Sequence, residues 1–171
     1  MSTEKHLVLL GLMGAGKTSV GRRAAARVGR PLIDGDAILR ERTGGMTAAE
    51  VADSEGIQAL HDLEAGIAME ALDLVEPAII GPAASVIEVD AVRDALSHHI
   101  VVWLAASAEY LAKRAVEKEH RPLLDEGDPV ELFTTQLAER EPLAVAIADL
   151  VIDVEKLSYE EQTDAVTDLL R

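Results

Sequence analysis

One run near the start of the chain, Gly11-Leu12-Met13-Gly14-Ala15-Gly16-Lys17-Thr18, follows the pattern G-x-x-x-x-G-K-[ST]. Glycines at these places let the backbone curl until successive N–H groups point inward, a geometry that suits a phosphate. A helix opening near Lys17 adds the positive end of its dipole. The lysine ammonium would reach the β- and γ-phosphates, and the Thr18 hydroxyl would ligate Mg²⁺. The expected nucleotide contacts are therefore Gly11, Met13, Gly14, Ala15, Gly16, Lys17, Thr18 and Ser19. A guanine-reading N/T-K-x-D motif does not occur, so a GTPase switch is not expected. A loop of this kind at residue 11 of a 171-residue chain fits a compact small-molecule kinase best.

Such a loop works only between a strand and a helix, and the flanking residues provide both. His6 to Leu10 is a short apolar run bounded by glycine, the signature of a buried strand. Lys17 to Val28 has helical apolar spacing and stops at Gly29. Further strands are predicted at Pro31–Ile33, Ala78–Ile80, Ile100–Ala105 and Leu150–Ile152. Helices are predicted over about 37–43, 47–54, 56–74, 88–97, Ser107 to Lys118, 129–147 and 159–170. Thr47 with Glu50 three residues on forms a capping-box pattern for the second of them. Strands alternating with helices predict an α/β fold, a parallel sheet covered on both faces, with ligands bound beyond the carboxyl ends of the strands. Asp34 and Asp36 follow the second strand on that same side, and by residue type alone they also suit a turn in which Asp36 caps the next helix.

The chain carries 16 Lys+Arg against 31 Asp+Glu, a formal charge of −15. Residues 1–30 alone are net +5, with Arg22, Arg23 and Arg27 expected on a solvated helix face. So acidic a surface repels phosphate backbones, which argues against nucleic acid as a partner. The absence of cysteine excludes disulfides, thiolate zinc sites and thiol nucleophiles. Five scattered histidines give no metal-ligand spacing. No run reaches the roughly 18 apolar residues of a membrane span, and Met1 to Lys5 is polar. A single cytoplasmic domain over residues 1–171 is the expectation, without a membrane partner.

The motifs extend beyond the phosphate loop. Gly11 to Arg23, then Leu32-Ile33-Asp34-Gly35-Asp36, then Arg121-Pro122-Leu123-Leu124, then Arg140-Glu141-Pro142-Leu143 resemble the shikimate kinase family in order and spacing. The resemblance implies a three-layer α/β/α P-loop kinase fold with a five-stranded parallel sheet of order 2-3-1-4-5. It also implies a monomer with ATP and Mg²⁺ as cofactors. By the same resemblance Asp34 holds Mg²⁺ through water, and Asp36 accepts from the acceptor's hydroxyls. Arg121, in a lid of about 117–128, covers the transferring phosphoryl group, and Arg114 stacks on adenine. Lys17, Asp36 and Arg121 form the implied catalytic set, with acceptor-binding helices over about 37–74.

The acceptor end departs from the family. Leu60-His61 stands where the family has Phe-Arg, Gly81-Pro82-Ala83 where it has three glycines, and Ala144 where it has tyrosine. Arg140 remains, so Asp36, His61, Gly81 and Arg140 are the expected acceptor contacts. A histidine replaces arginine only when protonated and lacks the bidentate fork. Three readings follow. The first is a kinase of a small polar, acidic metabolite other than shikimate. The others are a shikimate kinase tolerant of these changes, and a nucleotide-binding protein that transfers nothing.

Overall fold

Short apolar runs and amphipathic runs alternate along the chain, and each takes the form its period dictates. The computed structural model describes residues 4–117 and 127–171. In order they form β1 (Leu7–Leu10), α1 (Lys17–Val28), β2 (Leu32–Asp34), α2 (Gly35–Arg42), α3 (Ala48–Glu55) and α4 (Ile57–Leu72). Then come β3 (Ile79–Gly81), a 3₁₀ turn (Ala84–Glu88), α5 (Asp90–Leu96), β4 (Ile100–Ala105) and α6 (Ala108–Glu117). The chain closes with α7 (Pro129–Ile147), β5 (Leu150–Asp153) and α8 (Tyr159–Asp168). The strands pair in parallel as a five-stranded sheet, order β2-β3-β1-β4-β5, as the resemblance implied.

Two boundaries differ from the sequence expectation for identifiable reasons. The helix α2 begins at Gly35 because the Asp34 side chain accepts the Asp36 amide at 3.0 Å, so Asp34 rather than Asp36 is the cap. The helix expected over 88–97 begins at Asp90, because Val89 is extended, and a 3₁₀ turn that was not predicted precedes it over Ala84–Glu88. The Thr47–Glu50 capping box is present in both directions.

The main core lies between the sheet and its flanking helices, with β1 and the middle of β4 fully buried. Gly21 lets α1 lie close on the sheet: a Cβ there would meet Leu32 Cδ1 at 3.0 Å. Arg22 is exposed, but Arg23 and Arg27 are not simply solvated. Arg27 pairs with Glu160 and Asp164 of α8, and Arg23 lies over the Tyr159 ring. A second, smaller core of Leu39, Val51, Leu60 and Ile67 ties α2, α3 and α4 into a separate wall. The indole of buried Trp103 donates to Glu141 at 3.0 Å, which fixes α7 against β4.

At the opposite end of the sheet, His6 and His99 stack with ring centroids 4.7 Å apart. Both act as acceptors: His6 Nδ1 from the Ala78 amide, His99 Nδ1 from the His6 amide. A protonated ring could accept nothing there. Burial, and then the neighbouring His6, His98 and Lys5, hold His99 below its ordinary imidazole value. The folded chain therefore binds a proton at His99 less readily than the unfolded one. Stability is full at neutral pH and falls as pH drops below about 6.5, the ordinary value. His99→Asn keeps an acceptor without titrating, so its urea midpoint is expected to fall less between neutral and mildly acid pH. Equal falls in both proteins would contradict this assignment.

Candidate active site

The loop between β1 and α1 has the curl that its glycines allow. Gly14 and Gly16 sit at φ 91° and 104°, where a side chain is strained. A Cβ on Gly16 would also meet the Tyr159 ring at 3.3 Å. Gly11 is packed against Ala15 and Leu104, so it shapes the loop from behind. Lys17 Nζ donates to the carbonyls of Gly11 at 2.5 Å and Leu12 at 3.5 Å, arching back over the loop. The Thr18 hydroxyl donates to Asp34 Oδ2 at 3.3 Å. These two oxygens meet at the N-terminus of α1. They suit Mg²⁺, which takes few protein oxygens and completes its shell with phosphate and water. A curled amide loop, an ammonium and a hydroxyl–carboxylate pair fit Mg·ATP.

A cleft of about 490 Å³ opens over this loop and continues to the wall built by α2, α3 and α4. Of the expected residues it brings together Met13, Gly14, Gly16, Lys17, Thr18, Ser19, Asp36, His61, Arg114 and Arg140. Gly11, Ala15, Asp34 and Gly81 do not line it. Ala15 is buried, and Gly81 lies behind Lys17, whose Cβ a Gly81 Cβ would approach to 3.9 Å. Arg121 and residues 118–126 of the expected lid lie outside the described residues.

At the nucleotide end, Arg114 donates to the hydroxyls of Tyr110 at 3.2 Å and Tyr159 at 2.9 Å. Sequence reasoning assigned Arg114 but missed both tyrosines. Tyr110, one turn away at i−4, was the available signal.

At the acceptor end, Asp36 is exposed on the first turn of α2, and among the described residues its carboxylate accepts no hydrogen bond. Sequence reasoning also missed Glu64. It is 9 % exposed, faces the cleft and accepts a short hydrogen bond from the Ser85 hydroxyl. Burial pushes its carboxyl above the ordinary value, against the lowering influence of Ser85, His61 and Arg140, while Asp36 pushes it further up. Its position was readable, because Leu60, Glu64, Ile67 and Ala68 share the buried stripe of α4. Arg140 Nε donates to Glu88 Oε2 at 3.1 Å, with the arginine side chain 11 % exposed.

A five-stranded parallel sheet whose first strand runs into this loop, with a carboxylate facing it across a cleft, defines a P-loop phosphotransferase. The family model for shikimate kinase matches residues 13–171. A shikimate kinase of Nitrobacter winogradskyi is 33 % identical over 167 residues, covering 97 % of this chain and 77 % of that protein. One of Ruegeria pomeroyi is 34 % identical over 164 residues, covering 95 % and 83 %. Among solved structures, shikimate kinase from Acinetobacter baumannii in complex with shikimate superposes with a TM-score of 0.89 at 26 % identity, covering 98 % and 93 %. The chain belongs to the shikimate kinase family. It is accordingly a phosphotransferase acting on a hydroxyl group, with ATP and Mg²⁺ as cofactors, which sets aside the reading of a nucleotide binder that transfers nothing. Among the described residues no helix is long and apolar enough to cross a membrane.

Proposed function

We propose that this chain transfers the γ-phosphoryl group of ATP to a hydroxyl of a small polar molecule seated beside Asp36. The observation that carries the reading is the continuity of one cleft, from Lys17 and Thr18 at one end to Asp36, His61 and Arg140 at the other. The loop amides and Lys17 hold the phosphate oxygens, and Thr18 with Asp34 holds the metal site. Mg²⁺, when bound, neutralises charge on the phosphates. Asp36 orients the acceptor and takes the hydroxyl proton as the oxygen bonds to phosphorus and ADP departs. Positioning and charge account for the catalysis, since phosphoryl transfer asks little covalent chemistry of the protein. From the sequence alone, Arg121 is assigned to the charge developing on the transferred group, and Arg114 to the adenine.

Phosphorus NMR of the chain with Mg·ATP and a set of hydroxy compounds is expected to reveal a new phosphate monoester in step with ADP. ADP accumulating with inorganic phosphate alone, whatever hydroxy compound is present, would contradict the proposal.

A second reading names shikimate as the acceptor. It is favoured by the relatives at 33–34 % identity and by the shikimate in the Acinetobacter enzyme. Against it stand His61, Pro82 and Ala83, where the family places an arginine and two glycines.

A further inference from the structure

The acceptor end of the cleft is lined from α2 by Asp36, Leu39 and Arg40, and from α7 by Arg140. Positions 36 and 40 are four apart, so both side chains leave α2 on the face that borders the cleft. Leu39 is 2 % exposed and ties that helix into the second core, and the Gly45 amide donates to the Arg40 carbonyl at 2.7 Å. The base of the Arg40 side chain is thereby fixed. Its guanidinium is exposed, and among the described residues it makes no ion pair and donates no hydrogen bond. Arg42, two residues on, lies outside the cleft and pairs with Glu70 through both terminal nitrogens. Glu50 feels the charge of Arg40, but its own carboxylate is occupied by the Thr47 amide of the capping box.

Arg140 is likewise incompletely used. Glu88 takes only its Nε, which leaves Nη1 and Nη2 without a partner among the described residues. His61, in the same cleft, offers at most a partial charge at neutral pH and no fork. In a chain of net charge −15, two arginines with unengaged terminal nitrogens in one cleft point to an anionic ligand, and the planar fork matches a carboxylate. Asp36, one turn from Arg40, makes no ion pair with it and remains an acceptor for a hydroxyl. A molecule that carries both a hydroxyl and a carboxylate satisfies the two together. We propose that Arg40 is a specificity-determining residue, donating from α2 to the acceptor's carboxylate while the terminal nitrogens of Arg140 hold it from α7. It supplies the fork that His61 lacks. This rests on the kinase reading above and assigns the acidic group of its acceptor to a residue that no sequence motif marks.

The test compares an acid with its own ester. Binding of shikimate and of methyl shikimate is measured by calorimetry, with Mg²⁺ and a non-hydrolysable ATP analogue present, for the wild type, Arg40→Ala, Arg40→Lys and Arg42→Ala. The ester keeps the ring and its hydroxyls and loses the charge. Arg40→Ala is expected to weaken the acid by about three- to tenfold, as suits a charge-assisted contact at a partly exposed site, and to leave the ester within about twofold. Arg40→Lys should retain part of the acid's affinity, since the charge stays and the fork goes. Arg42→Ala removes an equal charge outside the cleft and should match the wild type. Tm should hold in Arg40→Ala, because that side chain is exposed and belongs to neither core. Equal losses for acid and ester, no loss for either, an Arg42→Ala effect as large as that of Arg40→Ala, or a wild type that binds the acid no better than the ester would each overturn the inference. Failure of the ATP analogue to bind would instead overturn the kinase reading, so the two failures are distinguishable.

Discussion

Replacing Lys17 by alanine is expected to lower kcat/KM for ATP by about 10²–10³-fold, the usual consequence of deleting one preorganised donor at a developing charge. The side chain is already arched over the loop by its contacts with the Gly11 and Leu12 carbonyls, so little ordering remains for the nucleotide to impose. The fold should survive, because Lys17 touches the loop and not the core, and Tm should move by only a few degrees, about the effect of 1 kcal/mol in a domain of this size. Lys17→Arg is not expected to rescue activity, since a planar fork cannot occupy the place of a point charge beside two carbonyls. The measurement is steady-state kinetics with a thermal scan on the same samples. A variant with wild-type kcat/KM would remove the loop from the nucleotide site.

How much of this was legible in the sequence differs sharply between the two ends of the cleft. At the nucleotide end the determinants are local. Gly16 and Gly29 bracket α1 with positive φ, so the predicted Lys17–Val28 helix matches the observed one. The strand, loop and helix are consecutive in the chain, and a spacing motif captures them. The parallel sheet was legible too, because the short runs Leu7–Leu10 and Ile100–Ala105 are apolar throughout, as strands buried on both faces must be, whereas the strand order came from the family resemblance alone.

At the acceptor end the determinants are contacts across long separations. Glu88 reaches Arg140 across 52 positions, and Ser85 reaches Glu64 across 21. Both depend on a 3₁₀ turn over Ala84–Glu88, too short to show a helical period and placed before the helix that the sequence predicts. The sequence marks the loss of the family's Arg at His61 and of two glycines at Pro82 and Ala83, but not what the replaced backbone delivers instead. The reading of Arg140 as an acceptor contact came from the resemblance, and its Nε bond to Glu88 is a contact that no spacing motif announces.

Asp36→Asn is expected to lower kcat by about 10²–10⁴-fold, the range of a lost general base, with the KM for ATP unchanged. The prediction separates two roles that the sequence left open. Had Asp36 been the cap of α2, its loss would register mainly as lowered stability. Asp34 carries that cap, and the Asp36 carboxylate is exposed at the cleft without a partner among the described residues. Asparagine keeps the size and can still accept one hydrogen bond, so acceptor binding should weaken far less than turnover. Glu64→Gln provides the comparison: that carboxyl is buried and bonded to Ser85, so its replacement should act mainly on acceptor KM. If Asp36→Asn instead lowers Tm and leaves kcat intact, proton transfer belongs to another group, and Glu64 becomes the carboxylate to test in its place.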